Sequence, residues 1–416
     1  MKTKSASSLF LFCLTILAWK NIWRNKVRSG VILGAITTGL FSGTFLLAFL
    51  CGWMVGTVNN DVETQLSHFQ IHDTAFMANN DIKACFMRDA VEEKLWSIPA
   101  EVTFRLNLSG MLASPHNAVG VTAKAIQAEE EMKVTTVWKQ IPDTLGVFLT
   151  DDTRNAIVIS KKNADKLKVR LASKIVFTFQ NVHGDMQSIA FRVGGIYKTD
   201  NGMFDETSVF VRYDDVFDCT GLPVGAVHEA GILLPDLDAC KVVAPQLKNM
   251  FPDMDVQEWT SLNPMLAFYL SYTDFMAVII LGVFLFALSF GIINTMLMAV
   301  LERTRELGML GAIGMNKSKI FGMIMLETVF LTLLGSVVGI ILGIAIILPA
   351  MKTGIDLTPF MGDQFEDFGF SSIVYPILTG NMFVQTIVLV VLAGLLSAIY
   401  PARKALKLKS LEAIRL

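Results

Sequence analysis

Residues 275–301 read FMAVIILGVFLFALSFGIINTMLMAVL, a run without a single Lys, Arg, Asp or Glu. A helix crosses a hydrocarbon core about 30 Å thick with roughly 20 apolar residues, so this run is long enough to span a membrane. Three more charge-free windows occur, at residues 29–60, 328–351 and 368–402. The sequence therefore predicts four transmembrane helices.

The composition of the chain agrees with a membrane protein. Of 416 residues, 53% are hydrophobic and only 17% are charged, whereas a soluble domain is nearer a quarter charged. The net charge of −2 argues against a nucleic-acid partner, since such proteins carry a basic face. The five cysteines lack metal-binding or redox spacing, and no hydrolase motif occurs. We predict no catalytic residue and no metal site.

Basic residues are distributed unevenly around the four windows. They precede the first window, lie between the second and third and follow the fourth, whereas the remaining loop has only Lys352. Because basic loops stay on the cytoplasmic side, both termini are predicted to be cytoplasmic. The predicted segments are a cytoplasmic N-terminus (1–28), a first span (29–58), an extracytoplasmic domain (59–265), a second span (266–301), a cytoplasmic coupling loop (302–317), a third span (318–350), an outer loop (351–381), a fourth span (382–401) and a cytoplasmic tail (402–416).

The apolar stretch from Leu9 to Trp19 has two possible interpretations. Upstream Lys2 and Lys4 give it the character of a signal peptide. It is too short to span, and no small-residue cleavage pattern follows, so an uncleaved helix in the inner interface is favoured. The sequence leaves both interpretations open.

The long segment between the first two spans alternates short strand-like runs with turn signals. Helical patterns fit residues 161–167 and 239–250. His68 and His72 have a spacing that would suit a metal on a helix, but the alternation around them is that of a strand. The predicted fold class is therefore membrane α-helical, with four transmembrane helices, an N-terminal interfacial helix and an inserted α+β extracytoplasmic domain.

The loop after the second window reads ERTRELGMLGAIGM over residues 302–315. Its charges lie at the start, and Leu307, Leu310 and Ile313 recur at a helical spacing. A short amphipathic helix is expected, with Glu302 and Arg305 close enough to pair. The alternative is a simple interhelical turn that carries positive-inside charges.

At this loop the sequence resembles the FtsX/MacB/lipoprotein-releasing superfamily of ABC permeases. The resemblance extends over four stretches of the chain. These are residues 302–314 with the downstream Leu326-Glu327 and spaced glycines, the basic entry AWKNIWRNKVRS at 18–29, SHFQIH at 67–72, and YPARKA with LEAIR at 400–405 and 411–415. Gly311 stands where the family often has Arg, and Ser410 where Pro is usual.

The resemblance implies a permease in the bacterial inner membrane, with residues 266–416 forming an FtsX-like permease domain and 59–265 a MacB-like periplasmic domain. It also implies a second permease subunit, as homodimer or heterodimer, and two copies of an ABC ATPase. The 302–317 loop would be the coupling helix that docks on that ATPase. The residues implied to contact it are Glu302, Arg303, Arg305, Glu306, Leu307, Gly308, Leu310, Ile313 and Gly314.

No cofactor is expected in this chain itself. A P-loop needs a Gly-Lys dipeptide, and that dipeptide occurs nowhere in the sequence. ATP and Mg are therefore expected on the partner ATPase, and the chain is expected to be a non-catalytic permease subunit.

Small residues and one acid stand out in the third span. Gly335, Gly339 and Gly343 form a stripe at helical spacing, which permits close helix packing in lipid. Glu327 is an acid near the end of the span, where contact with water or a coupling role is expected.

Lipoprotein release from the inner membrane is the function we favour from sequence, by mechanotransmission to the outer domain. The cargo would be a lipoprotein or another amphiphile, with membrane lipids and a periplasmic carrier or adaptor as further partners. The alternatives are MacB-like efflux of drugs or peptides and FtsX-like signalling to a periplasmic partner, although the large outer domain disfavours the latter.

Overall fold

The computed structural model describes residues 15–24, 26–79, 81–150, 153–237, 239–361 and 371–407. The chain divides into two compact units. One, here called the membrane unit, comprises residues 1–53, 272–355 and 374–416. The other, here called the sheet unit, comprises residues 54–271 and 356–373. The C-terminal motif at 411–415 and the first residues of the N-terminal apolar stretch lie outside the described residues.

Long helices make up the membrane unit. Among the described residues, four are long and apolar enough to cross a membrane, over Ser29–Leu66, Pro264–Glu302, Lys317–Thr353 and Met382–Lys404. Helices satisfy every backbone polar group internally, which lipid requires. The four-span prediction is confirmed. The helices that contribute to this unit are α1 (15–24), α2 (Lys26–Asp61), α11 (Pro264–Glu302), α12 (Thr304–Ala312), α13 (Lys317–Thr353) and α15 (Gly380–Lys407).

The sheet unit contains the other α-helices and the β-strands. Its helices are α3 (Phe76–Asn79), α4 (Arg88–Leu95), α5 (Ala128–Val134), α6 (Lys161–Leu167), α7 (Gly202–Thr207), α8 (Tyr213–Phe217), α9 (Cys240–Met250), α10 (Trp259–Leu262) and α14 (Thr358–Met361), besides a π-helix at Val62–Leu66 and 3-10 turns at Val137–Gln140 and Asp143–Leu145. Its strands are β1 (Phe69–His72), β2 (Phe86–Met87), β3 (Glu101–Ala113), β4 (Ala118–Ile126), β5 (Ala156–Ser160), β6 (Lys174–Gln180), β7 (Met186–Tyr197), β8 (Ser208–Arg212), β9 (Ala226–Val227), β10 (Glu229–Leu233) and β11 (Asp255–Glu258). Two short strands, β12 (Ile355–Asp356) and β13 (Ile373–Val374), pair with each other.

Nine strands form one sheet, in the order β11-β1-β10-β3-β4-β8-β5-β7-β6. The last strand, β6, also pairs with the far end of β3, where Gly110 lies opposite Phe179. The six strands from β3 to β6 therefore close into a barrel. A Cβ on Gly110 would lie 2.4 Å from the Thr178 carbonyl oxygen, so a side chain there would obstruct closure.

Strand β3 belongs to both parts of the sheet. Its first residues, 101–105, pair with β10, and its last residues pair with β6. The barrel is filled by apolar side chains such as Leu106, Phe177 and Val209. A second core under the β10-β1-β11 extension contains Phe69 and Trp259. The sheet and its covering helices confirm the predicted fold class, and α6 occupies the residues predicted for it.

Candidate functional site

The predicted coupling loop forms a short helix with defined ends. Helix α11 ends at Glu302, Arg303 forms a turn, and α12 begins at Thr304. At its other end the Met315 N–H donates to the Leu310 carbonyl at 3.0 Å, and Gly314 has φ +100°. This is a Schellman ending, which favours glycine because the left-handed backbone disfavours a side chain.

The two faces of α12 have different surroundings. Leu307 is 9% exposed and, with the half-buried Leu310, packs in the core of the membrane unit. Met309 and Ile313 are 55% and 84% exposed, and Arg305 lies on the same side, about one turn before Met309 and two turns before Ile313. Helix α12 therefore has an anchored face and a face that projects Arg305, Met309 and Ile313.

Ion pairs fix the polar end of α12 to two other helices. Arg24 of α1 donates to both carboxylate oxygens of Glu306, and Arg303 Nε donates to Glu306 at 3.3 Å. Arg303 Nη1 reaches Glu327 of α13 at 3.2 and 3.3 Å. The hydrogen bond from Arg24 holds the pKa of Glu306 below its ordinary value. These four residues, called the ion-pair relay below, connect α1, α12 and α13.

The structure divides the residues predicted to dock. Arg303, Glu306, Leu307 and Leu310 are engaged inside the chain, Gly308 is half-buried, and Glu302, Arg305, Ile313 and Gly314 are exposed. The predicted Leu307–Leu310–Ile313 stripe is therefore split between two faces. Among the described residues no ion pair joins Glu302 to Arg305, because the helix is interrupted at Arg303 between them.

Glu327, predicted as an acid near the end of a span, is 5% exposed. Its contact with Arg303 supplies the compensation that a buried carboxylate requires. Sequence reasoning placed Arg303 against a partner and missed this internal pair.

The three spaced glycines of α13 differ in what they contact. A Cβ on Gly335 would lie 2.7 Å from Ile36 Cγ2, and one on Gly339 would lie 3.1 Å from Leu40 Cβ. The Thr37 hydroxyl also donates to the Gly335 carbonyl at 3.2 Å. A Cβ on Gly343 would meet no atom within 4 Å. The first two glycines therefore lie against α2, and the third does not.

A buried charge cluster in the sheet unit was not found from sequence. Arg105 of β3 is fully buried and donates to Glu131 of α5 and Glu229 of β10. Burial alone would raise the pKa of Glu229, but the charges of Arg105 and Lys124 and the hydrogen bond from Asn107 together outweigh burial and lower that pKa to about 2. Residues 102–106 alternate apolar and polar side chains, a pattern that predicts a half-buried strand with Arg105 on its polar face, so the sequence does not indicate that Arg105 is buried.

The histidine pair is separated as the strand pattern predicted. His72 lies in β1, with Nδ1 3.0 Å from the His228 carbonyl oxygen and Nε2 3.0 Å from Gln70 Oε1. His68 precedes the strand. Over the part of the chain that the structure describes, no group of three metal-ligating side chains is found.

Four candidate spans, a short helix between the second and third, and a large inserted domain define a multi-pass membrane protein. Residues 278–409 match the FtsX-like permease C-terminal family model. The similarity to FtsX-like permeases therefore covers most of the second span, helix α12 and the third and fourth spans.

Individual proteins with similar sequences cover different parts of the chain. It is 37% identical over 125 residues to a macrolide export ATP-binding/permease protein MacB of Chlorobaculum tepidum, covering 30% of this chain and 16% of that protein. It is 26% identical over 279 residues to an uncharacterised ABC transporter permease of Methanocaldococcus jannaschii, covering 65% of this chain and 64% of that one. The chain thus spans less than two thirds of either relative.

Among solved structures, the periplasmic region of MacB from Actinobacillus actinomycetemcomitans matches with a TM-score of 0.34. The sequence identity is 13%, over 51% of this chain and 98% of that one.

Proposed function

We propose that this chain is the transmembrane permease subunit of an ABC transporter and that α12 docks on a separate ATPase subunit. The observation that carries the proposal is the division of α12 into an anchored and a projecting face. Leu307 and the ion-pair relay fix one side. The exposed Met309 and Ile313 beside Arg305 provide apolar contact area next to a cation, a combination on which a partner protein can bind.

Motion would pass from α12 along helices. The ion-pair relay connects α12 to α1 and α13. Helix α11 ends at Glu302, one residue before Arg303 of the relay. Helix α2 continues without a break to Asp61, at the end of the first apolar window. Helix α11 begins at Pro264, before the second apolar window, and is also unbroken. Continuous helices support a mechanotransmission role, since they bend only at identifiable interruptions.

Photocrosslinking in cells of the source organism tests the docking proposal. A benzoylphenylalanine at Ile313 should crosslink to a protein whose tryptic peptides include a P-loop motif. The matched control position is Trp96, which is 78% exposed in the sheet unit. Arg305→Glu with Ile313→Glu should abolish co-purification of that ATPase, whereas Lys248→Glu should not. Crosslinks at Ile313 that reach no P-loop protein contradict the proposal.

We favour a lipidated or amphiphilic cargo. A crevice of about 660 Å³ in the membrane unit is lined mainly by apolar side chains of α2, α11 and α15, among them Leu47, Leu281 and Val388. A volume in this range accommodates an organic ligand, and an apolar lining suits an acyl chain. Efflux is the second candidate, because the name of the Chlorobaculum relative assigns macrolide export to that protein.

Depletion of the chain separates these cargoes. Retention of palmitate-labelled lipoproteins in the inner membrane, with unchanged macrolide sensitivity, supports release of lipoproteins. Increased macrolide sensitivity with normal lipoprotein sorting supports efflux. If neither changes while cell-wall cleavage does, transmembrane signalling replaces both.

A further inference from the structure

A groove of about 780 Å³ lies within the sheet unit, and none of its lining residues belongs to α12 or the relay. Its walls come from the end of α2, the start of β3 and the residues that follow β10. Three of the lining side chains are acidic, one is a histidine, and most of the others are apolar, including Ile98, Leu233 and Leu237. The groove therefore combines negative charge with apolar contact area.

His68 is the one polar side chain in the groove wall that is almost wholly buried, with 6% of its surface exposed. Its Nδ1 accepts a hydrogen bond from the Leu234 N–H at 3.0 Å. A ring nitrogen that accepts has no proton, so Nε2 carries it in the neutral ring. Burial lowers the pKa of His68, although Asp236 acts in the opposite direction. The neutral ring is therefore the favoured form.

The Nε2–H of His68 is a donor without an acceptor among the described residues. The imidazole lines the groove with its other nitrogen fixed on Leu234. Nε2 is not among the buried unpartnered side-chain atoms of the described residues, so it is open to the groove, where an acceptor of a ligand can replace water on this donor. A carbonyl or hydroxyl oxygen would satisfy this position.

The charge around this donor is all of one sign. Glu63, Glu101 and Asp236 contribute carboxylates to the wall, and no Lys or Arg is found among the described residues that line the groove. An anionic ligand would be repelled, and a cation would be attracted. A metal ion does not fit, because no three-ligand group occurs within the described residues. An ammonium group next to an apolar chain matches both the charge and the apolar wall.

We propose that this groove binds a cationic amphiphile, whose ammonium group is attracted by the carboxylates of Glu63, Glu101 and Asp236 while an adjacent oxygen accepts from His68 Nε2. The apolar part of the ligand lies on Ile98 and Leu233. An amphiphile from solution and an amine-bearing lipid headgroup share this chemistry. Binding requires neither an ATPase nor nucleotide, so the inference is independent of the proposed permease function.

Photolabelling of the full-length chain tests the site. The protein is placed in nanodiscs of phosphatidylglycerol and exposed to 1-amino-2-dodecanol that carries a diazirine in its alkyl chain. Adducts should map to residues 98–101 and 233–237. The matched probe is 1,2-dodecanediol with the same diazirine, which replaces the ammonium by a hydroxyl.

The variants separate the acids from the histidine. Glu63→Gln, Glu101→Gln and Asp236→Asn together should lower labelling by about tenfold, because each removes one exposed negative charge whose attraction for the ammonium group is modest. The matched control neutralises Glu93, Glu129 and Asp253, which are exposed elsewhere in the sheet unit. His68→Phe should weaken labelling by the amine, and His68→Asn, which retains a donor and an acceptor, should restore part of it.

Phosphatidylethanolamine in the nanodiscs distinguishes the two sources of the amine. Reduced probe labelling in its presence identifies the lipid headgroup as the occupant, and unchanged labelling identifies an amphiphile from solution. Equal labelling of the groove by the diol probe, or by the amine in the acid-to-amide variant, would overturn the proposal. Neither outcome depends on whether α12 binds an ATPase.

Discussion

Arg303 donates from Nη1 to both carboxylate oxygens of Glu327, at 3.2 and 3.3 Å. The pair joins the turn before α12 to helix α13, with side chains only 14% and 6% exposed. Arg303 also donates to Glu306, which Arg24 holds from the other side. The sequence predicted only that α12 contacts a partner protein. The structure shows that ion pairs also hold α12 against other helices of the same chain.

The Arg303–Glu327 pair should contribute measurably to stability. Glu327→Gln leaves a mostly buried guanidinium without its main counter-charge, and we expect a loss of about 1–3 kcal/mol in the free energy of unfolding. A double-mutant cycle with Arg303→Gln, followed by denaturant titration in mild detergent, should give a coupling energy of about 0.5–3 kcal/mol. The exposed Arg305→Gln serves as control. Additive single-mutant effects would mean that the contact contributes no coupling.

The Glu229 carboxylate should make the sheet unit sensitive to acid. Its folded pKa of about 2 lies below the ordinary 4.5, so the unfolded state binds more protons between these values. The stabilisation contributed by Glu229 is therefore fully present above about pH 4.5. It decreases by about 3 kcal/mol as the pH falls toward 2. Hydrogen exchange of β3 and β10 peptides, corrected for intrinsic rates, should show this loss. Glu229→Gln should lack it, and Glu93→Gln should retain it.

Asp205 should have the opposite effect on the pH dependence. Burial raises its pKa from 3.8 to about 6, despite hydrogen bonds from Thr199. The folded state then holds more protons than the unfolded state in this window, so stability falls by about 3 kcal/mol as the pH rises from about 4 to 6. Asp205→Asn retains an acceptor for Thr199 and should abolish the fall. Hydrogen exchange of α7 peptides measures this fall in stability. If the Asp205→Asn variant shows the same fall between about pH 4 and 6, another titrating group causes it.

Local patterns in the sequence identified much of the fold. Charge-free windows predicted the spans because lipid imposes a length and a composition on a single segment. Helix α6 was predictable because its apolar period and the Ser160 cap lie within a few residues. Closure of the barrel through Gly110 and Phe179 depends on pairing between distant strands, which no local pattern encodes.

The functional residues were harder to predict for the same reason. Arg24 and Glu306 are 282 positions apart, and each was interpretable as a surface charge near a membrane. The sequence identified the α12 segment but not which of its faces is anchored. Periodicity alone grouped Ile313 with Leu307, whereas the end of α12 at Ala312 and the packing of its Leu307 side separate them.

Substitutions at the three glycines of α13 should differ in effect according to their distance from α2. A Cβ at Gly335 would lie 2.7 and 2.9 Å from Cγ2 and Cβ of Ile36, which is fully buried and cannot move aside. At Gly339 the nearest contact would be 3.1 Å, and at Gly343 no atom lies within 4 Å. Gly335→Ala should therefore cost about 1–3 kcal/mol through overpacking, and Gly339→Ala less.

Gly343→Ala provides the matched control on the same helix. It adds the same methyl group into open space and improves helix propensity, so its effect should lie between zero and a gain of about 1 kcal/mol. Denaturant titration of the three variants in one detergent gives the ranking. If Gly343→Ala proves as damaging as Gly335→Ala, the contact with Ile36 cannot be the cause. A partner that covers Gly343 would then have to account for both losses.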